Sequence, residues 1–189
     1  MPAFRLNSLG LVHKMLADHI QPGDFCIDAT AGKGRDTLFL CRLTGSAGKV
    51  LAMDIQPAAV EATRQLLQTE GCAPWAEVVL DSHAHLDAYA QPETADAVVF
   101  NFGWLPGGDH HIFTQAESSL TAIRKGLTLL KPGGLMALCL YSGGLNGFSE
   151  REAVLSYVKE LDDRQFTVLI TDFANRPNTP PLPIFIWKA

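Results

Sequence analysis

The residues able to do chemistry in this chain gather at a few places. Asp28 and Asp36 flank Gly32 and Gly34, Asp54 stands alone, Asp81-Ser82-His83 forms a polar triplet, and Asn101 precedes Asp109-His110-His111. Carboxylates and amides supply hydrogen-bond acceptors, and an imidazole can take up a proton near neutral pH. Each cluster follows a short, mostly apolar run: Phe25-Cys26-Ile27, Val50-Leu51-Ala52-Met53, Ala76 to Leu80 with Glu77 inside it, and Ala97 to Phe100. Between Asp28 and Asp36 the residues are Ala29-Thr30-Ala31-Gly32-Lys33-Gly34-Arg35. Glycine accepts positive φ and has no Cβ, so a ligand can come close to such a turn. The free N–H groups of the helix beginning at Thr37-Leu38-Phe39-Leu40 would face that ligand. A strand, a small-residue turn and a helix make the opening unit of a nucleotide-type site. A tight turn without a ligand is the plainer alternative.

The glycine spacing discriminates among nucleotides. A dinucleotide fingerprint needs a third glycine where Thr37 stands, and a phosphate loop needs Gly-Lys-Ser/Thr, which Gly32-Lys33-Gly34 is not. An acidic strand end followed by Gly-x-Gly resembles the first motif of class I S-adenosylmethionine-dependent methyltransferases. The resemblance implies that Asp28, Thr30, Ala31, Gly32, Gly34, Asp36 and Thr37 surround the cofactor, Asp28 near its amino-acid end. Asp54, with Ile55 and Gln56 beside it, can accept hydrogen bonds from both ribose hydroxyls. Its alternative role is a charge at the N-terminus of the helix that Pro57 opens. Asp81, with Ser82 and His83, can read an exocyclic adenine amine or cap a helix.

The chain has 189 residues, of which 47% are hydrophobic and 19% charged, a globular composition sufficient for one α/β domain over residues 1–189. No apolar run approaches the roughly 20 residues of a membrane span, and the N-terminus lacks a signal peptide's apolar core. A cytoplasmic protein without membrane contact is expected. Cys26, Cys41, Cys72 and Cys139 are widely spaced, which favours reduced core thiols. A net charge of −5 argues against broad charge-driven binding to nucleic acid, although Arg5, Lys14, Lys33, Arg35 and Arg42 bias the first part of the chain toward positive charge. His83, His85, His110 and His111 have spacings seen in metal sites, but lone histidines are more often structural, and no metal is expected.

The elements alternate. Leu9, Val12, Leu16 and Ile20 predict a helix over 7–20 that ends at Gln21-Pro22-Gly23, with His13 at the edge of its apolar stripe, either facing the glycine turn or packed on the surface. Further helices are expected after the glycine turn, from Pro57 to Gly71, after the capping box Thr114-x-x-Glu117, and after the capping box Ser149-x-x-Glu152. Lys131-Pro132-Gly133-Gly134 should stop the third of these and lead to a strand over 135–141. Strands over 166–173 and 182–187 close the chain. The pattern predicts an α/β fold: a doubly wound, Rossmann-like, seven-stranded and mostly parallel sheet with an antiparallel last strand.

The stretch after the fourth strand, Asn101-Phe102-Gly103-Trp104-Leu105-Pro106-Gly107-Gly108-Asp109-His110-His111, mixes aromatic, amide, acid and imidazole groups in a loop, where function concentrates. Together with the glycine turn, Asp54-Ile55-Gln56, Asp81-Ser82-His83, Lys131-Pro132-Gly133-Gly134 and Asn178-x-Pro180-Pro181, it resembles bacterial methyltransferases long labelled rRNA methylases. Members of that family are understood as tRNA wobble-uridine enzymes that methylate 5-aminomethyl-2-thiouridine, using S-adenosylmethionine. The resemblance covers nearly the whole chain. It implies that Asn101 and Asp109 orient the substrate amine, Asn101 also lying at the cofactor. Phe102, Gly103, Trp104, Leu105, Gly107, Gly108, His110, His111 and Tyr141 would contact the acceptor, the aromatic ones by stacking on a flipped-out base. Family members often read Tyr-His-Gly-His after the fifth strand, whereas this chain reads Tyr141-Ser142-Gly143-Gly144. His110-His111 is a candidate substitute. The expected partners are tRNA through its anticodon region and a second copy of the chain. Methylation of rRNA or of a small amine is the alternative activity.

Overall fold

A computed structural model describes residues 6–102, 116–141, 147–176 and 180–189. Its seven strands are β1 (Phe25–Asp28), β2 (Lys49–Asp54), β3 (Ala76–Leu80), β4 (Ala95–Phe102), β5 (Leu130–Leu140), β6 (Phe166–Ile170) and β7 (Leu182–Lys188). They form one sheet in the order β3-β2-β1-β4-β5-β7-β6. The pairs among β1 to β5 are parallel, whereas β7 runs antiparallel to both β5 and β6. The chain winds outward from β1 to β3, then crosses to β4 and winds the other way. The crevice between the carboxyl ends of β1 and β4 is therefore the switch point, where open α/β sheets bind ligands.

The helices are α1 (Ser8–His19), α2 (Arg35–Thr44), α3 (Pro57–Thr69), α4 (Ala116–Leu129) and α5 (Gly147–Lys159). The sheet buries both faces. Val12, Leu16, Leu40 and Leu67 from α1, α2 and α3 pack with Cys26, Val50 and Val99 on one face. Ile123, Leu127, Val154 and Val158 from α4 and α5 pack with Ile27, Leu51, Val98 and Phe100 on the other. Strands covered on both sides need continuous apolar runs rather than alternation, as in β4, where Ala97 to Phe100 are all buried. All four cysteines are buried and unbridged.

Four local expectations change. β4 continues through Asn101 and Phe102 instead of ending at Phe100. β5 begins at Leu130, directly after α4; Lys131-Pro132-Gly133-Gly134 makes its turn inside that strand, as a register jump from the pair Ala95↔Leu130 to Ala97↔Leu135. α5 opens earlier than the proposed cap, at Gly147, so Ser149 lies within its first turn. β6 ends at Ile170, after which the Thr171 backbone and hydroxyl both donate to the Pro183 carbonyl. The Thr114 cap lies outside the described residues. Between β3 and β4 a 3-10 segment, His83–Ala88, stands in place of a full helix. Lys125 of α4 holds it by donating to the Ala84 carbonyl at 2.6 Å and to Asp87 at 2.7 Å.

Candidate active site

Strand parity decides what each residue at the carboxyl edge does. In β1, Cys26 faces the α1–α3 layer and Ile27 the other, so Asp28 points under α2. It is fully buried, and accepts from Thr37 Oγ1 at 2.6 Å and from the Thr30 backbone N–H at 3.2 Å. Burial first, and the charge of Asp36 second, raise its carboxyl to about 7. Asp28 and the equally buried Thr37 thus shape the turn from beneath. They do not line it, which corrects their expected contact with the cofactor. Ala31 is likewise buried, its N–H donating to the Met53 carbonyl at 2.9 Å.

Gly32 and Gly34 have φ of 55° and 76°. A Cβ on Gly34 would lie 2.9 Å from Thr63 Cα of α3. The close approach that demands glycine at 34 is therefore helix packing as well as backbone conformation. Gly32 donates its N–H to Asp54 Oδ2 at 2.9 Å, and Gln56 donates to Asp54 Oδ1 at 2.9 Å. A carboxylate has about four acceptor positions, so about two stay open on Asp54, one per oxygen, which suits a pair of ribose hydroxyls. Ile55 is half exposed beside it and offers an apolar surface to a base.

At the end of β3, Asp81 accepts from the Ser82 N–H at 2.7 Å, His85 Nδ1 at 2.8 Å and Tyr89 Oη at 2.8 Å. These bonds, His85 and Tyr89 foremost, hold its carboxyl below the usual range. The 3-10 segment is capped by Ser82, whose Oγ accepts from the Ala84 N–H at 3.2 Å, so the capping alternative for Asp81 is removed. Nothing in the sequence spacing signalled Tyr89 as a partner. His83 turns inward, edge-on to Phe100 and Phe102, and burial alone lowers it to about 4. It is a neutral imidazole with a buried Nε2 that lacks a partner. Among the described residues no group of three or more His, Cys, Asp or Glu side chains is disposed to hold a metal ion.

The extension of β4 separates Asn101 from Phe102. Phe102 falls on the α4–α5 face, fully buried and stacked on Phe100 at 5.0 Å. It is core, which corrects its expected stacking on a base. Asn101 falls on the other face. Its N–H donates to Thr30 Oγ1 at 2.7 Å, and its Nδ2 donates to Asp36 Oδ2 at 2.6 Å. A carboxylate can only accept, so Asp36 fixes which end of the amide faces it. Asn101 Oδ1 is buried and has no partner. Asp36 Oδ1 meets His13 Nε2 of α1 at 2.7 Å, and the His13 ring stacks on Phe39 at 4.0 Å. His13 therefore faces the turn, the first of its two readings. Tyr141 follows β5 beside this edge, its N–H donating to the Phe102 carbonyl, with a ring that is 38% exposed and able to meet a ligand. Gly103, Trp104, Leu105, Gly107, Gly108, Asp109, His110 and His111 lie outside the described residues, as do Ser142 and Gly144.

A switch-point crevice with a glycine turn, a carboxylate holding open acceptor positions and an exposed isoleucine beside it fits the nucleoside part of S-adenosylmethionine. These features, on a sheet in the order 3-2-1-4-5-7-6, define a class I methyltransferase. The comparisons give the same class and a family. Residues 50–187 match the family model described as "Putative rRNA methylase", and the chain belongs to that family. It is 36% identical to the Arabidopsis thaliana chloroplastic tRNA (mnm(5)s(2)U34)-methyltransferase over 97% of its own length and 70% of the relative's. The "putative rRNA-methylase" of Clostridium thermocellum superposes with a TM-score of 0.95 at 38% identity, over 98% of this chain and all of that one. The "putative methyltransferase" SMU.1697c of Streptococcus mutans, solved in complex with S-adenosylhomocysteine, gives 0.88 at 36% identity over 98% of this chain and 100% of that one. The protein is an S-adenosylmethionine-dependent methyltransferase. Among the described residues no helix is long and apolar enough to cross a membrane.

Proposed function

We propose that this methyltransferase modifies the anticodon region of tRNA, transferring a methyl group to the aminomethyl nitrogen of 5-aminomethyl-2-thiouridine at the wobble position. The activity of the Arabidopsis relative, a tRNA (mnm(5)s(2)U34)-methyltransferase, supports this acceptor. The observation that carries it is the Asn101 side chain: a buried acceptor oxygen without a partner at the carboxyl end of β4. A buried polar atom of this kind calls for a donor, and an amine N–H is one.

When bound, S-adenosylmethionine supplies an electrophilic methyl on a sulfonium. The acceptor nitrogen needs a free lone pair in line with that methyl. Asn101 Oδ1 accepts one N–H and so aims the lone pair, a positioning effect that supplies much of the rate in such transfers. One N–C bond forms, one S–C bond breaks, and one proton leaves the nitrogen. We assign proton acceptance to the segment Asp109-His110-His111, directly or through water. Trp104 and Tyr141 are the aromatic groups assigned to the unpaired base.

The test is transfer of labelled methyl to total tRNA from cells lacking this gene, followed by nucleoside identification by mass. Label in 5-methylaminomethyl-2-thiouridine is expected. Label elsewhere in RNA, or only in small amines, would discard this acceptor. Asn101→Ala should lower kcat about 100-fold, the loss typical of a preorganised hydrogen-bonding group, while cofactor affinity stays near wild type. An unchanged kcat would remove Asn101 from the chemistry.

A further inference from the structure

The Asn101 amide does not hold its orientation alone. Asp36 grips its Nδ2, and Asp36 is itself gripped by His13, so three side chains from α1, α2 and β4 form one chain: His13 Nε2 to Asp36 Oδ1 at 2.7 Å, Asp36 Oδ2 to Asn101 Nδ2 at 2.6 Å. Both carboxylate oxygens are engaged, one by each neighbour. The Asp36 side chain is 16% exposed and that of His13 30%, so the chain lies at the lip of the crevice, partly shielded from water. The stacking of His13 on Phe39 of α2 fixes the imidazole plane independently of its hydrogen bond.

Resting on the proposed role of Asn101, we infer that His13 is a positioning residue for methyl transfer. It acts through Asp36 to keep Asn101 Oδ1 pointed at the acceptor nitrogen. With a carboxylate accepting, His13 must present Nε2–H, either as the neutral Nε2–H tautomer or as the cation. A carboxylate held at one oxygen only can swing about its χ angles, and the amide it holds can then turn. Held at both oxygens, it keeps the amide in the one orientation that leaves Oδ1 free. Among the described residues His13 is paired with Asp36 of α2, while Lys14, next to it on α1, is engaged with Asp18 at 2.6 Å.

Two substitutions separate the hydrogen bond from the packing. His13→Phe keeps an aromatic ring on Phe39 and removes the donor. His13→Gln keeps an N–H donor and removes the ring. Full-length enzyme with tRNA from cells lacking the gene serves for the kinetics. His13→Phe is expected to lower kcat at least about tenfold, as loss of one hydrogen bond to a charged group does. Its cofactor Kd should stay within about twofold and its Tm should fall only slightly, because the freed Asp36 oxygen is partly exposed and can be taken up by water. His13→Gln should recover most of kcat. Wild-type kcat in His13→Phe, or a His13→Gln as slow as His13→Phe with both folded, would overturn the inference. A second readout does not depend on the acceptor. The side-chain amide protons of Asn101, assigned by their disappearance in Asn101→Ala, should be shifted and slowly exchanging in wild type and in His13→Gln, and should lose both signatures in His13→Phe. If wild type transfers no methyl to tRNA, the acceptor assignment fails while these amide signals still decide the role of His13. Amide signals unmoved by His13→Phe would end it.

Discussion

Asp28 ends β1 with its carboxyl completely out of water, next to the charge of Asp36, and ionises only near pH 7. In the unfolded chain the same group ionises near its ordinary 3.8. Between those values the unfolded state has lost a proton that the folded state keeps. The folded protein therefore loses stability as pH rises from about 4 to about 7, by about 4 kcal/mol in total from this group. Asp28→Asn removes the titration and keeps both bonds, because an amide oxygen can accept from Thr30 N–H while its NH2 donates to Thr37 Oγ1. In urea denaturation without cofactor, the variant should lose about 2–3 kcal/mol less than wild type between pH 5 and pH 8. Equal slopes would place the titration on another group. At this scale the sequence showed an acidic strand end beside Gly-x-Gly, but it could not show that Asp28 is a buried support while Asp36 faces the crevice.

At the scale of elements, the glycine turn is where α2, α3 and β1 converge. Gly34 caps α2 in the left-handed region and touches the α3 backbone at Thr63. Gly34→Ala therefore meets two penalties, backbone strain and overpacking, together about 2–4 kcal/mol. Gly71 provides the comparison: its φ is 70°, but nothing lies within 4 Å of a Cβ there, so Gly71→Ala should show the backbone strain alone, about 1–2 kcal/mol. Thermal denaturation of both variants checks the difference. A Gly34→Ala protein no less stable than Gly71→Ala would mean that α3 moves aside freely. The turn's type was readable from its glycines, whereas its packing partner, 29 residues later in sequence, was not. The end of β4 shows the same limit. The continuous apolar run stops at Phe100, but pairing with β5 carries the ladder on to Phe102↔Leu140, and that extension puts Asn101 and Phe102 on opposite faces.

For the whole molecule, β7 is the strand inserted between β5 and β6. Ile184, Phe185 and Ile186 are fully buried, and β7 hydrogen-bonds to a neighbour on each side. Burying three such side chains is worth about 1.5–3 kcal/mol each, a sum comparable to the about 5–15 kcal/mol stability of a whole domain. Deleting residues 182–189 should abolish cooperative unfolding, read as loss of a sigmoidal urea transition and of near-ultraviolet circular dichroism. A retained cooperative transition would show that β5 tolerates being an edge strand.

The sequence by itself determined the alternation of strands and helices, the reversal of the last strand, the turn built on Gly32 and Gly34, and the carboxylate at the end of β2. These follow from hydrophobic period, glycine and proline placement, and the acceptor chemistry of a side chain beside its own backbone, all of which are local. Only the tertiary structure decided which strand-end residues face the crevice, that Phe102 and His83 belong to the core, and that His13, Asp36 and Asn101 join across three elements. The reason is physical: strand pairing sets parity, and parity assigns faces. A hydrogen bond between α1 and β4 by way of α2 exists only once the sheet has brought them together.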